Sequence, residues 1–460
     1  MLVRWLRQFY RFVFPVRGGE TATPLEKLLS RRPQVECLED RTVPAVTASL
    51  INGTLQVIGD AANDSISVGA VNNRIFVTAG GFAIPISGPQ PTVFNTFAFQ
   101  VSSGAGDDTV FIDASVDLPT PNPLQVVNGE DGNDVLTSNS PDGVVMYGLD
   151  GNDFLTGGAE NDFLSAGAGF DSVLGNGGSD YIDGGSEADV LSGNGENDSI
   201  VGVTGADTIS GGAGNDLLDG QDDNDVISGE AGNDSVLGNF GNDLITGGQG
   251  TDVLSGNDGD DTISGEADGD ILDGGEGNNA IDGGLGNDTI ASGQGNNTIT
   301  GGDGNDTITS GAGADSIDGG LGNDTIAAGD GNNVVFAGDG NDLVATGLGD
   351  DSIDGGLGND VLNGGAGNDS LFGGVGNDIL QGTNGNDSIS GGAGNDTILG
   401  GFGNDTLTGD ADIDAVSGDS DSDSIIGTGN DSLWALDGFI DSIDTVLGDS
   451  FFADANDLVF

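Results

Sequence analysis

Gly391-Gly392-Ala393-Gly394-Asn395-Asp396-Thr397-Ile398-Leu399 is one copy of a nine-residue unit, G-G-x-G-N-D-x-U-x with U aliphatic, and it decides how this chain is read. In steps of nine, the Asp396 position recurs 31 times between Asp153 and Asp423; 28 are Asp and three are Asn (Asn279, Asn297 and Asn333). Two residues further on, all 31 positions are Val, Ile or Leu; two residues before, 24 are Gly, and five before, 25 are Gly. No insertion or deletion breaks the register from Gly148 to Ile426. A fixed period marks a solenoid and overrides the two or three ordinary domains that 460 residues would suggest.

The unit has a physical reading. Its Gly-rich half can take positive φ and turn tightly. Its D-x-U-x half supplies a short strand with the aliphatic residue on one face. Two units then make an 18-residue coil of turn, strand, turn, strand. Stacked coils form parallel strands, and the aliphatic residues form two facing internal ladders. At roughly 4.8 Å per coil, Gly148–Ile426 would extend about 75 Å. One aliphatic side chain per nine ordered backbones is a thin core.

Charge sharpens the problem. The chain carries 76 acidic and 9 basic residues, no His and one Cys, for a formal charge of -67. Eight of the nine basic residues lie in residues 1–41, so residues 42–460 carry -70. Such a compact state repels itself strongly, so the chain is either disordered or built around bound cations. Nucleic acid and anionic lipid are poor partners on the same ground. Without His, Ser-His-Asp and Cys-His catalysis and imidazole zinc sites are excluded, and one Cys rules out an internal disulfide framework.

The repeat resembles the RTX, or haemolysin-type, calcium-binding nonapeptide family, over about three fifths of the chain. The resemblance implies an all-β fold: a right-handed parallel β-roll, or β-solenoid, of 18-residue coils, with an irregular β-rich lead-in and a C-terminal cap. It also implies Ca²⁺ between the turns of adjacent coils, held by the sixth-position Asp and backbone carbonyls. Carried over, one column of ligands is Asp162, Asp180, Asp198, Asp216, Asp234, Asp252, Asp270, Asp288, Asp306, Asp324, Asp342, Asp360, Asp378, Asp396 and Asp414. The other is Asp153, Asp171, Asp189, Asp207, Asp225, Asp243, Asp261, Asp315, Asp351, Asp369, Asp387, Asp405 and Asp423. With the three Asn positions included in the second, the columns hold fifteen and sixteen stacked positions, which allow at most 29 inter-coil sites. Calcium at all of them would carry +58 against the -70. Calcium ions are thus the implied cofactor and partner.

Departures from the unit carry expectations of their own. Asn279 and Asn297 are adjacent in one column, so the ladder is expected to be weak near residues 275–300 and to open there first as calcium is withdrawn. Glu160, Glu187, Glu196, Asp223, Asp268, Asp412 and Asp421 replace the third Gly; they either add a ligand or strain the turn. The Asn-Asp-Ser and Asn-Asp-Thr sequons fall out of the repeat, and so does an EF-hand-like start at Asp419, where Ser424 stands in place of the loop Gly.

The flanks divide into three segments. Residues 1–41 read as a basic leader, neither a clean secretory signal nor a membrane span. Val35-Glu-Cys-Leu-Glu-Asp-Arg-Thr-Val-Pro44, with Cys37 inside it, resembles a short motif that precedes large surface or secreted proteins of some budding bacteria. Residues 42–147 read as a β-rich lead-in with a hairpin at Asn52-Gly53, a surface loop at Pro119–Pro123, and irregular motif copies at Asp64, Asp108 and Asp134. Their spacings of 44, 26 and 19 residues to Asp153 imply longer first coils. Residues 427–460 are rich in apolar side chains such as Trp434, Phe439 and Phe451, as a cap requires, and end in Asn456-Asp-Leu-Val-Phe460, which resembles the endings of type I secretion signals.

The expectation for the whole is a secreted or surface-associated calcium-binding rod, located outside the cell or at its surface. It is not an enzyme; it has no transmembrane span, and its outer faces meet cell-surface or matrix components. The alternative is an RTX secreted effector, a cytolysin or hydrolase, with its activity in residues 42–147.

Overall fold

The computed structural model describes residues 46–92, 96, 98–118, 124–410, 412–428, 430–435, 442–444, 449–453 and 457–459. The basic leader with Cys37, the Pro119–Pro123 loop, Phe439, Asn456 and Phe460 lie outside the described residues.

The copy at 391–399 shows how nine residues become half a coil. The strand Ser388–Ala393 ends where Gly392 and Gly394 take φ values of 95° and 139°. A Cβ on Gly394 would overlap the carbonyl oxygen of Gly376, one coil earlier, so the third Gly serves close stacking as well as the turn. Asn395 and Asp396 complete the turn, and the strand Thr397–Phe402 follows. It pairs in parallel with Ile379–Asn384 on one side, Leu380 opposite Ile398, and with Ala415–Ser420 on the other, Ile398 opposite Val416. The same 18-residue step runs from Val145↔Phe163 to Thr406↔Ser424, and the next pair, Ala415↔Ser432, steps by 17. Successive half-coils alternate between two sheets, and no helix occurs among the described residues.

The strands are longer than the D-x-U-x half alone suggests. Many span six residues, as Thr397–Phe402 does, and take in the first two Gly of the next unit; others, such as Thr289–Ala291, keep to three. Inter-coil backbone bonds cover those glycines, so the turn contracts to about the Gly-Asn-Asp triplet. The aliphatic positions form the predicted ladders: Leu155, Ile245, Ile326, Ile398 and Ile425 are all 0–1% exposed and belong to one continuous core.

Both sheets begin in the lead-in. Thr47–Ile51 and Thr54–Ile58 form an antiparallel hairpin through Asn52 and Gly53, at φ 50° and 84°, as a type I′ turn requires. Thr54–Ile58 then pairs in parallel with Ala98–Ser102, which pairs with Leu124–Asp131, which pairs with Val145–Asp150. In the second sheet, the hairpin of Ser65–Val71 and Arg74–Ala79 leads through Thr109–Ile112 and Val135–Ser138 to Phe154–Thr156. The irregular spacings read from Asp64, Asp108 and Asp134 are therefore the lengths of the first coils, and the second hairpin lies inside one of them. At the other end, Ser432–Ala435 and Ser442–Asp444 extend the two sheets, followed by Ser450–Ala453 and Leu458–Val459. The described strands of the C-terminal segment thus extend the roll in the same two sheets. Trp434 stacks on Phe452 at 5.9 Å, and Leu433 and Ile443 are buried. No helix of the described residues is long and apolar enough to cross a membrane.

Candidate metal ladder

Each ladder Asp closes its turn and points inward. All 28 predicted ligands are buried, none more than 5% exposed. The Oδ1 atom accepts a hydrogen bond from the backbone N–H of the residue one coil earlier, itself a ladder member except for Val144 before Asp162: Asp360 donates to Asp378, and Asp378 to Asp396, both at 2.8 Å. The structure stacks these residues in two columns, with the carboxylate of one coil capping the backbone of its neighbour.

The second oxygen is the chemically telling one. In 25 of the 28, Oδ2 is buried and has no hydrogen-bond partner. Asp162 and Asp315 are exceptions: Gly158 N–H donates to Asp162 Oδ2 at 2.6 Å, and Ser310 Oγ lies 2.6 Å from Asp315 Oδ2. Asp423 Oδ1 accepts from Asp405 N–H at 2.9 Å. A buried carboxylate with an unfilled lone pair is costly unless protonated or bound to a cation. Burial, reinforced by the charges of Asp162, Asp198 and Glu196, pushes Asp180 up to about 8. Burial and like-charged neighbours raise Asp153, Asp189, Asp225, Asp270 and Asp360 to about 7.

These oxygens face a donor set that suits a hard cation. Among the described residues, no three His, Cys, Asp or Glu side chains cluster as a metal site, so carboxylates alone do not make one. The remaining donors are carbonyls. A Cβ on Gly382, the first residue of its unit, would meet both Asp387 Oδ2 and the Gly400 carbonyl oxygen of the next coil. The bare Gly thus leaves a cradle edged by a carboxylate oxygen and a carbonyl oxygen, the mixed set that calcium favours. Calcium bound there would neutralise the Oδ2 charge and tie adjacent coils.

Several ladder members escaped the nine-residue count. Asp64 N–H donates to Asp108 Oδ1, Asp108 to Asp134 and Asp134 to Asp153, at 2.6–2.7 Å, so the column starts in the lead-in. Beyond the repeat, Asp414 N–H donates to Asp431 Oδ1 at 3.0 Å after a 17-residue step. The irregular motif copies were the signal for the first three; the broken period hid Asp431. The fifth-position Asn builds a second ladder running the opposite way: Asn395 N–H and Nδ2 both donate to Asn377 Oδ1 at 3.0 Å. It stood in the consensus without a role. Three of the acids at the third Gly position turn back onto the stack: Gly169 N–H donates to Glu187, Gly178 N–H to Glu196 and Gly403 N–H to Asp421, at 3.0–3.1 Å.

The family model for the RTX calcium-binding nonapeptide repeat (4 copies) matches in overlapping stretches from residue 145 to residue 407, more than half of the chain. The chain belongs to the RTX calcium-binding nonapeptide repeat family. No curated protein matches it. RTX membership and the partnerless Oδ2 atoms agree on calcium as the ion, and the RTX repeats form a calcium-binding structural β-roll.

Proposed function

We propose that this protein is a secreted or surface-associated rod whose β-roll orders when calcium binds along its two Asp columns, and that it acts as a structural and interaction element and not as an enzyme. The observation that carries the reading is the row of 25 buried Oδ2 atoms without partners. In cation-free solution at neutral pH those carboxylates must either unfold the coils or take up protons. Extracellular calcium modules bind at about 10⁻⁴–10⁻³ M, so an assembly of this kind stays loose where calcium is scarce and sets where it is plentiful. Residues 42–147 support the same reading: their strands pair in register with the roll, and Asp64, Asp108 and Asp134 extend its ladder. The outer faces remain available to cell-surface or matrix components.

The test is a comparison of the whole chain in chelator and in millimolar calcium by circular dichroism and hydrodynamic radius. An expanded chain of low β content in chelator and a β-rich particle in calcium are expected. Identical spectra and radii would overturn the proposal. Lysis or hydrolysis by the calcium-loaded chain would favour an effector instead.

A further inference from the structure

We infer that one face of the roll takes no calcium between Asn279 and Asn333, because amide and hydroxyl groups of the chain close those turns in the cation's place. The inference rests on the calcium reading above and marks where it stops.

Two kinds of substitution coincide on this face. The first replaces the carboxylate. Asn279, Asn297 and Asn333 keep the ladder's acceptor: their Oδ1 atoms take the backbone N–H of Asp261, Asn279 and Asp315 at 2.9–3.0 Å. In place of a partnerless second oxygen, however, they present an NH₂ donor. Asn279 Nδ2 donates to the Gly275 carbonyl at 3.4 Å and Asn333 Nδ2 to the Gly329 carbonyl at 3.2 Å. Asn297 Nδ2 donates to the Gly295 carbonyl at 3.2 Å and to Asp315 Oδ1 at 3.1 Å. An amide that points protons at turn carbonyls turns a cation-attracting site into one that repels a cation.

The second substitution fills the cradle. The first Gly of the unit becomes Ser292, Ser310, Ala328 and Thr346 in four successive coils of this face. Ser310 Oγ lies 2.6 Å from Asp315 Oδ2 and 2.5 Å from the Ala328 carbonyl oxygen, so the one carboxylate left in the stretch is served by a hydroxyl. Thr346 Oγ1 donates to the Gly364 carbonyl of the next coil. Ser292 Oγ is buried without a partner and leaves this closure incomplete by one atom. On the opposite face of the same coils, Gly283, Gly301 and Gly319 remain, and Asp288, Asp306 and Asp324 each keep a buried, partnerless Oδ2.

The consequence reverses the expectation drawn from the Asn positions alone. Neutral ligands were expected to weaken the stack near residues 275–300. The bonds above hold it without metal, and three missing charges remove the repulsion that loads the other turns. Residues 275–335 are therefore the part of the roll that persists to the lowest calcium, and the place from which it reassembles in a nearest-neighbour solenoid.

Calcium bound per chain after equilibrium dialysis, measured by atomic emission, tests the site count. The comparison is between the wild type and a variant carrying Asn279→Asp, Asn297→Asp, Asn333→Asp, Ser292→Gly and Ser310→Gly. The variant is expected to bind about two to four more ions, as restored charge and open cradles admit them. Equal counts would overturn the inference. Hydrogen exchange of the wild type over a calcium titration needs no variant: residues 275–335 should keep protection to lower calcium than residues 360–410. Loss of protection there first, or at the same calcium level, would refute the inference while leaving the calcium reading intact. A wild type that binds no calcium would refute both.

Discussion

Asp180 shows what the ladder asks of a single side chain. One oxygen caps the Asp162 backbone at 2.7 Å; the other is buried with no partner, and the group is pushed up to about 8. Such a shift is also a statement about stability. An unfolded Asp titrates near 3.9, so between about pH 4 and pH 8 the folded, metal-free chain binds more protons than the unfolded one. Stability from this source is fully present below the unfolded value and is lost as pH rises through the folded one. Protons and calcium therefore compete for the same oxygens. In chelator, lowering the pH from 7.5 to 5 should induce β structure that calcium induces at 7.5, and the calcium midpoint should fall as pH rises. A chelated chain whose circular dichroism is flat between pH 7.5 and 5 would show that these carboxylates do not control folding.

At the level of the half-coil, the third Gly of the unit is the position most sensitive to a side chain. Gly376 and Gly394 sit at φ 153° and 139°, whereas Glu187 and Glu196, at the equivalent place, sit at 72° and 64°. A Cβ thus forces the turn into the left-handed region, and the two glutamates recover part of that loss by accepting the N–H of Gly169 and Gly178. Gly394→Val has no acceptor to offer and is β-branched, so it should destabilise the roll by about 1–3 kcal/mol. Gly394→Glu should be clearly milder. Urea unfolding in saturating calcium measures both; equal losses would mean that the carboxylate bond contributes nothing. This contrast also marks how far the sequence could be read. Period and polarity revealed the coil, the two aliphatic ladders and the Asp columns, because each depends on one residue type at one spacing. Asn52-Gly53 announced its hairpin because a type I′ turn needs both φ values positive. The second hairpin, through Asn72 and Asn73 at φ 51° and 63°, had weaker turn chemistry and went unread. The direction of the Asn395 ladder, the hydroxyl of Ser310 against the Ala328 carbonyl and the membership of Asp431 depend on what lies one coil away, which no single nine-residue window contains.

For the whole roll, the question is whether calcium acts by its charge or by its coordination. Residues 42–460 carry -70, and self-repulsion on that scale would by itself keep the chain open at low ionic strength. Salt alone can relieve it: the screening length falls from about 10 Å at 0.1 M to about 3 Å at 1 M. Screening does nothing, however, for an oxygen that has left water and found no partner. The 25 buried Oδ2 atoms need a ligand inside the stack, and the cradles beside Gly382 and its equivalents offer carbonyl and carboxylate oxygens in a geometry set by the coil spacing. Calcium tolerates such irregular oxygen sets; magnesium demands near-ideal octahedral geometry and gives up its water reluctantly. Millimolar calcium should therefore order the chain at 0.1 M salt, whereas 1 M sodium chloride or the same concentration of magnesium should contract it without producing the β spectrum. If concentrated sodium chloride gave the calcium-loaded spectrum and exchange protection, the columns would be a problem of charge alone, and the Asp positions would matter only for their number.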